Sequence, residues 1–411
     1  MRRAALLLAT LALLALPAAA QAAAKGCQEM RQRLVRGGGG ASGLLVVDAA
    51  SGRRLCGRAA KRPRTLASNM KLFTTAAALG RFGPNYRIPT QLLSDGTLDR
   101  RGVLRGDLYL VGGGDPALGS PAFYERFLGL GTNLFGLKRQ LRGAGLRSVT
   151  GRLFADDTVF DRRRGVADSG YATSPYIGPL SGLAFNSGYS SSSGGGFASD
   201  PATLATRKLS GSLRKAGIRI RGGTTRRPAP ATAEQLAVVR SPTMRQLAEA
   251  TNVPSNNFFA ETLIKLLGAR YGGAGSTAAG ARVVERFARS RGSGLSATDG
   301  SGLTRTNRAS PAQVVRLLTA MQNNARLADP YVQSLALSAR TGTVDDRMQG
   351  SAAAGRCRVK TGTLSGVSSL SGLCFNRSGR TIAFSVLMNG VYSLTRAHRE
   401  QDRIAAMVAR Y

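Results

Sequence analysis

The sequence predicts an α/β (α+β) fold in which one antiparallel sheet, flanked by helices, is built from both ends of the chain around an inserted, mostly-β module. Three observations predict it. Strand-like runs lie near the two ends, at residues 43–48 and 53–58 and again at 358–360, 367–375 and 381–389. Helical patterns occupy 67–79 and much of the stretch from 243 to 323. Between them, residues 91–239 change texture to short strand candidates separated by Gly-, Ser- and Arg-rich loops. The chain therefore divides into a leader (1–24), a discontinuous domain (25–90 and 240–411) and the inserted module (91–239).

At the start, Arg2 and Arg3 precede an apolar Ala/Leu run to Leu16, followed by Pro17 and small residues through Ala24. This is the pattern of a secretory signal peptide, with A-x-A cleavage sites after Ala20 or Ala24, and it implies export across the cytoplasmic membrane. The run is too short for the ~20 apolar residues of a spanning helix. Residues 49–52 are the turn between the first two strands. The helix at 67–79 opens at Ser68 and is expected to stop at Gly80.

The module offers strands at 107–111, 153–154 and 218–220, and a low-complexity surface loop at 190–196. Its Gly112-Gly113-Gly114-Asp115-Pro116 stretch has no Gly-Lys-Ser/Thr ending, so it is not a phosphate loop. Further helices are expected at 243–250, 256–268 and 277–291. Another runs from the Ser310-Pro311-Ala312-Gln313 capping box to about residue 323, and a last one spans 395–410.

The formal charge is +36, carried by 50 Arg and 8 Lys against 22 acidic residues. The arginines are spread along the whole chain with few aromatics and no Trp, which argues against a nucleic-acid stripe. In an exported protein such charge favours anionic wall polymers or membrane surfaces as long-range partners. Cys27, Cys56, Cys357 and Cys374 form one pair near each end, so disulfides Cys27–Cys56 and Cys357–Cys374 are expected, with buried thiols as the alternative. With no C-x-x-C and a single histidine, neither a metal site nor a cofactor is expected.

Candidate chemistry begins from a shortage. His398 is the only imidazole, and it lies in the terminal helix as a solvated residue, so a His-based triad is disfavoured. Ser68-Asn69-Met70-Lys71 places a hydroxyl and an amine three apart on one helix face, where the helix N-terminus favours developing negative charge. A neutral Lys71 could take the Ser68 proton if burial and a neighbouring cation lowered its pKa. Ser255-Asn256-Asn257 follows Pro254 at the mouth of a helix, and Lys360-Thr361-Gly362-Thr363 ends a strand. Lys71 and Lys360 are two of only eight lysines, and arginine could not replace the first as a base.

The order Ser-x-x-Lys, Ser-x-Asn, Lys-Thr-Gly is the signature of penicillin-binding proteins and serine β-lactamases. Through these motifs, and through stretches 66–72, 106–118, 151–160, 299–303 and 360–366, the chain resembles the D-alanyl-D-alanine carboxypeptidase/endopeptidase family, the class C low-molecular-mass penicillin-binding proteins. The resemblance implies a β-lactamase/transpeptidase-like domain and a serine-type carboxypeptidase acting on peptidoglycan stem peptides. DD-endopeptidase action on cross-links is left open, and β-lactams would be covalent inhibitors. It implies that Ser68 forms an acyl-enzyme, that Lys71 is the base and that Ser255 relays a proton to the leaving amine. Asn257 would hold the substrate peptide, while Lys360 and Thr361 would bind its carboxylate. Gly362 would let substrate approach, and the Thr363 N–H would complete an oxyanion hole with that of Ser68.

Ser-Asn-Asn in place of Ser-Asp-Asn, and the lack of a Glu-x-x-Leu-Asn stretch, disfavour a class A β-lactamase. The remaining rivals are a β-lactamase or esterase on the same scaffold, and a catalytically silent wall-binding protein. Asp156-Asp157 and Asp345-Asp346 read as solvated turns pointing apart. Asp299-Gly300-Ser301-Gly302 reads equally as a cleft loop or as a simple turn.

Overall fold

The computed structural model describes residues 18–411, so the signal-peptide run up to Pro17 lies outside the described residues. Six strands form a wholly antiparallel sheet in the order Ala336–Leu337, Cys357–Leu364, Val367–Phe375, Thr381–Asn389, Gly43–Asp48, Arg54–Arg58. N-terminal and C-terminal segments thus share one sheet. Its central strands are buried along nearly their whole length because both faces are covered. Leu45, Val47, Leu373, Ala383 and Leu387 point into the core beneath the helices Met70–Phe82, Asn257–Tyr271, Thr277–Ser290 and Pro311–Gln322. Their alternating neighbours Leu44, Val46, Cys374, Phe384 and Val386 point to the other face, against Ala18–Gly38 and Leu394–Val408.

Both expected disulfides are present. Cys27–Cys56 ties the first helix to the edge strand, and Cys357–Cys374 joins residues directly opposite in the sheet. The first helix is also held by Arg33, which donates to Glu400 at 3.1 Å. No described helix is long and apolar enough to cross a membrane.

Residues 89–240 build a five-stranded sheet, a four-stranded sheet and a short two-stranded pair, with a separate apolar core. The first and last strands of that segment, Pro89–Ser94 and Glu234–Arg240, pair antiparallel, so the chain enters and leaves side by side. That is the geometry an insertion needs. The segment is less purely β than its sequence suggests: it contains helices Pro121–Phe127, Gly136–Gly143 and Pro201–Lys215, and several of its strands pair in parallel. The Gly112–Gly114 turn is structural, since a Cβ at Gly113 would strike the Pro89 carbonyl and one at Gly114 the Phe160 ring.

Two expectations are corrected here. Gly80 does not end its helix, which continues to Phe82 and stops at Gly83 with φ 84°. The ring of Phe287 lies where a Gly80 Cβ would be, so Gly80 serves helix packing. Asp156 and Asp157 point apart as expected but are buried, not solvated. Asp157 pairs with Arg226 and accepts from Ser181 Oγ at 2.7 Å, while Asp156 accepts from the N–H groups of Thr158 and Ala229. Asp345 and Asp346 are exposed.

Candidate active site

Ser68 lies in a single 3-10 turn, Ala67–Asn69, that runs directly into the helix Met70–Phe82. Ala67 is held at φ 47°, a left-handed conformation that costs an L-residue on the order of 1–2 kcal/mol. Its carbonyl packs so closely on Gly302 that no Cβ would fit there. The buried Asn69 donates to the Lys360 carbonyl at 2.9 Å and so joins the turn to the third motif's strand. Gly362 completes that junction. A Cβ on it would lie 2.8 Å from the Ser68 nitrogen and 3.0 Å from the Leu66 carbonyl oxygen, so glycine lets the strand reach the turn that carries Ser68.

Lys71 is fully buried one helical turn on from Ser68. Its Nζ is 3.0 Å from Ser68 Oγ, 2.7 Å from Asn257 Oδ1 and 2.7 Å from the Ser301 carbonyl oxygen. The last two are pure acceptors. A neutral amine has two N–H groups, which these acceptors take, and its lone pair is left facing the Ser68 hydroxyl. Burial pushes Lys71 down to about 7, against the opposing influence of Asp299 and Glu261. Lys360 is also fully buried and lies well below the usual lysine range, through burial and then the charge of Lys71. Its Nζ donates to the Thr361 carbonyl at 3.0 Å.

The second motif sits as expected at a helix mouth. Asn256 caps the helix Asn257–Tyr271 by accepting from the Phe259 N–H at 3.1 Å, and Ser255 is held at φ 62° just before it. Asn257 faces Lys71 with its oxygen, and its nitrogen donates at 3.0 Å to the backbone carbonyl of Tyr176, from the segment 89–240. Among the described residues, no hydrogen bond joins the Ser255 hydroxyl to Ser68 or Lys71.

A cleft of about 780 Å³ brings these pieces together. Ser68, Ser255, Asn257, Thr361, Gly362 and Thr363 line it, while Lys71 and Lys360 are buried behind them. All eight sequence candidates therefore converge on one place. The cleft also recruits residues that the motifs did not mark. Thr343 lies 2.7 Å, oxygen to oxygen, from the Thr361 hydroxyl, and Arg347 is fixed by Asp402 at 2.7 Å. Arg305 and Asp168 line the cleft as well. His398 is half-buried and lines the cleft rather than lying in open solvent, and burial and then Arg347 lower its pKa.

The Asp299–Gly302 turn is part of the site, since it carries the Ser301 carbonyl. Asp299 accepts from the N–H of Gly302 and Thr304 and from Asn307 Nδ2, each at 2.7–2.8 Å. Glu261 accepts from the N–H of Gly300 and Ser301 at 3.0 and 2.6 Å. Glu261 was legible in principle as a carboxylate four residues after Asn257, on the same helix face.

A sequence profile of the D-Ala-D-Ala carboxypeptidase 3 (S13) family matches residues 29–194 and 196–411. The chain belongs to this family. It is 31% identical over 456 aligned positions to a D-alanyl-D-alanine carboxypeptidase of Actinomadura, covering 91% of this chain and 82% of that one. It is 27% identical to a carboxypeptidase of Mycolicibacterium smegmatis, covering 84% and 75%. In fold it is similar to penicillin binding protein 4 of Haemophilus influenzae, with a TM-score of 0.75 and 19% identity over 94% of this chain and 99% of that one. The expected transpeptidase-like fold and serine-type D-Ala-D-Ala carboxypeptidase class therefore hold, and this S13 peptidase is a hydrolase of cell-wall peptides.

Proposed function

We propose that Ser68 attacks the carbonyl of the penultimate D-alanine of a peptidoglycan stem peptide, that terminal D-alanine leaves, and that water then hydrolyses the acyl-enzyme. The observation that carries this is the Lys71 amine, whose two N–H groups have carbonyl acceptors and whose remaining position faces Ser68 Oγ at 3.0 Å. Ser68 gives its proton to Lys71 as it attacks, and the leaving amine recovers a proton through Ser255 at the cleft wall. The N–H groups of Ser68 and Thr363 hold the oxyanion, each worth roughly 3–4 kcal/mol. Thr361 receives the substrate carboxylate. Lys360 supports that residue from behind the wall, its amine donating to the Thr361 carbonyl. The Asn257 amide nitrogen, bonded to Tyr176, exchanges that carbonyl for one of the substrate.

Residues 25–90 and 240–411 form the catalytic unit in this reading, and 91–239 form an insertion that contributes Tyr176 and Asp168 to the cleft. The leader directs export and is removed in the process, after Ala20 or Ala24, and the strongly basic character of the chain, +36 overall, holds the protein near anionic wall polymers. Cleavage of cross-links as an endopeptidase is a second activity of the same site. D-alanine release from a soluble D-Ala-D-Ala peptide tests the reading. Wild type should release it, Ser68→Ala should not, and Ser255→Ala should retain a small fraction. Equal release by Ser68→Ala and wild type would overturn it.

A further inference from the structure

Glu261 is fully buried on the helix Asn257–Tyr271, near a second buried carboxylate, Asp299. One of its oxygens, Oε1, receives the N–H groups of Gly300 and Ser301, while Oε2 is buried with no hydrogen-bond partner among the described residues. A single link separates it from the base, because the residue whose N–H it holds at 2.6 Å presents its carbonyl to Lys71 Nζ at 2.7 Å. A carboxylate buried with a free oxygen is costly to keep unless its charge is used or its proton retained. A main-chain turn could be held as well by an amide, so the acid calls for a reason.

We propose that Glu261 is a positioning residue for the catalytic base: it holds the Ser301 carbonyl against Lys71, and its negative charge, when present, stabilises the Lys71 ammonium. The proposal rests on the reading of Lys71 as base. Asp299 accepts from three donors and Glu261 from two, so of these two carboxyl groups Asp299 keeps its charge more readily. Burial, then Asp299, pushes Glu261 up to about 8, into the range where Lys71 titrates. When Lys71 accepts the Ser68 proton, the new ammonium is favoured by whatever negative charge Glu261 carries. The two groups then titrate as a pair, with the amine held protonated to higher pH than it would be alone.

The other charges in the cluster are Lys265 on the same helix, tied to Asp161 at 2.6 Å, and Lys360 beyond Lys71. The neighbouring helix Thr277–Ser290 turns Arg282, Arg286 and Arg289 to solvent, and its Glu285 accepts from the Ala297 N–H. In Met244–Asn252 the charged residues Arg245 and Glu249 are exposed.

The test follows Lys71 directly. The chain has only eight lysines, so protein labelled at lysine with carbon-13 can be titrated by NMR, with the Lys71 signal assigned through Lys71→Arg. In wild type, Lys71 should titrate over a broad, two-step range. In Glu261→Gln, which keeps an acceptor for both N–H groups, it should titrate as one step, lower by about one unit or more. The acid limb of Ser68 acylation by labelled penicillin should move by the same amount in the same direction. Glu261→Leu, which releases the turn, should lose at least about tenfold in acylation even at its optimum pH. Superimposable Lys71 titrations of wild type and Glu261→Gln would overturn the proposal, and this arm stands even if Glu261→Leu does not fold. A wild-type protein that never labels at Ser68 would instead refute the catalytic reading, while the Lys71 titration still decides the role of Glu261.

Discussion

If Lys71 must be neutral to accept the Ser68 proton, acidification disarms the enzyme without unfolding it. With Lys71 brought down to about 7 by burial, roughly one molecule in ten carries the neutral amine at pH 6 and about nine in ten at pH 8. The second-order rate constant for acylation should therefore rise with pH, by up to about tenfold between those values and less where coupling to Glu261 broadens the titration. The direction follows from the environment. Full burial disfavours the ammonium, and Asp299 and Glu261 oppose it. Stopped-flow labelling of Ser68 with a fluorescent penicillin from pH 5.5 to 9 measures the limb, with circular dichroism at each pH to confirm an intact fold. A rate constant that is flat across this range, or that falls as pH rises, would refute the assignment of Lys71 as a neutral base.

Other perturbations address neighbouring parts of the account. Asn257→Asp would place a carboxylate oxygen about where Oδ1 now sits, 2.7 Å from the amine, and should move the acid limb up by about 1–3 units. Activity at pH 7 would then fall and return at higher pH in the same rate profile. Gly362→Ala should cut acylation at least about tenfold, because the new methyl lies in contact with the Ser68 nitrogen; penicillin labelling reads this directly. Gly80→Val, which pushes into the Phe287 ring, should lower stability by about 1–3 kcal/mol in denaturant melts and leave the acid limb in place. Replacing Cys357 and Cys374 by serine should cost about 2–4 kcal/mol in the same assay, since the bridge closes a loop across 17 residues. Lys71→Met tests the burial of the amine. The folded state has lost the Lys71 proton by about pH 7, whereas the unfolded chain keeps it to about 10.5, so in wild type this group makes stability rise with pH across that window. The variant should lack that part of the slope.

The three motifs were legible because each is a short local pattern whose chemistry depends on spacing. Ser68 and Lys71 share a face by helical geometry alone, and Asn256 announced a helix mouth. The sheet was legible too, because its strands are apolar and bounded by turns. What escaped notice acts across long separations. Asn69 meets the carbonyl of a residue 291 positions away, and Glu261 holds a turn 39 and 40 positions away, which no spacing rule signals. Thr343 and His398 reach the cleft only because the sheet and the last helix fold beside it. The helix Pro201–Lys215 carried a readable start, with Asp200 capping Thr203 and Pro at the first position, but Thr206 and Ser210 dilute its buried face.

The central claim is that Ser68, activated by Lys71, is the nucleophile. Peptide mass mapping after exposure to penicillin tests it most directly. The account predicts one covalent adduct, on the peptide containing Ser68, formed slowly below pH 6 and lost in Lys71→Arg. An adduct on any other serine, or an undiminished Ser68 adduct in Lys71→Arg, would contradict it.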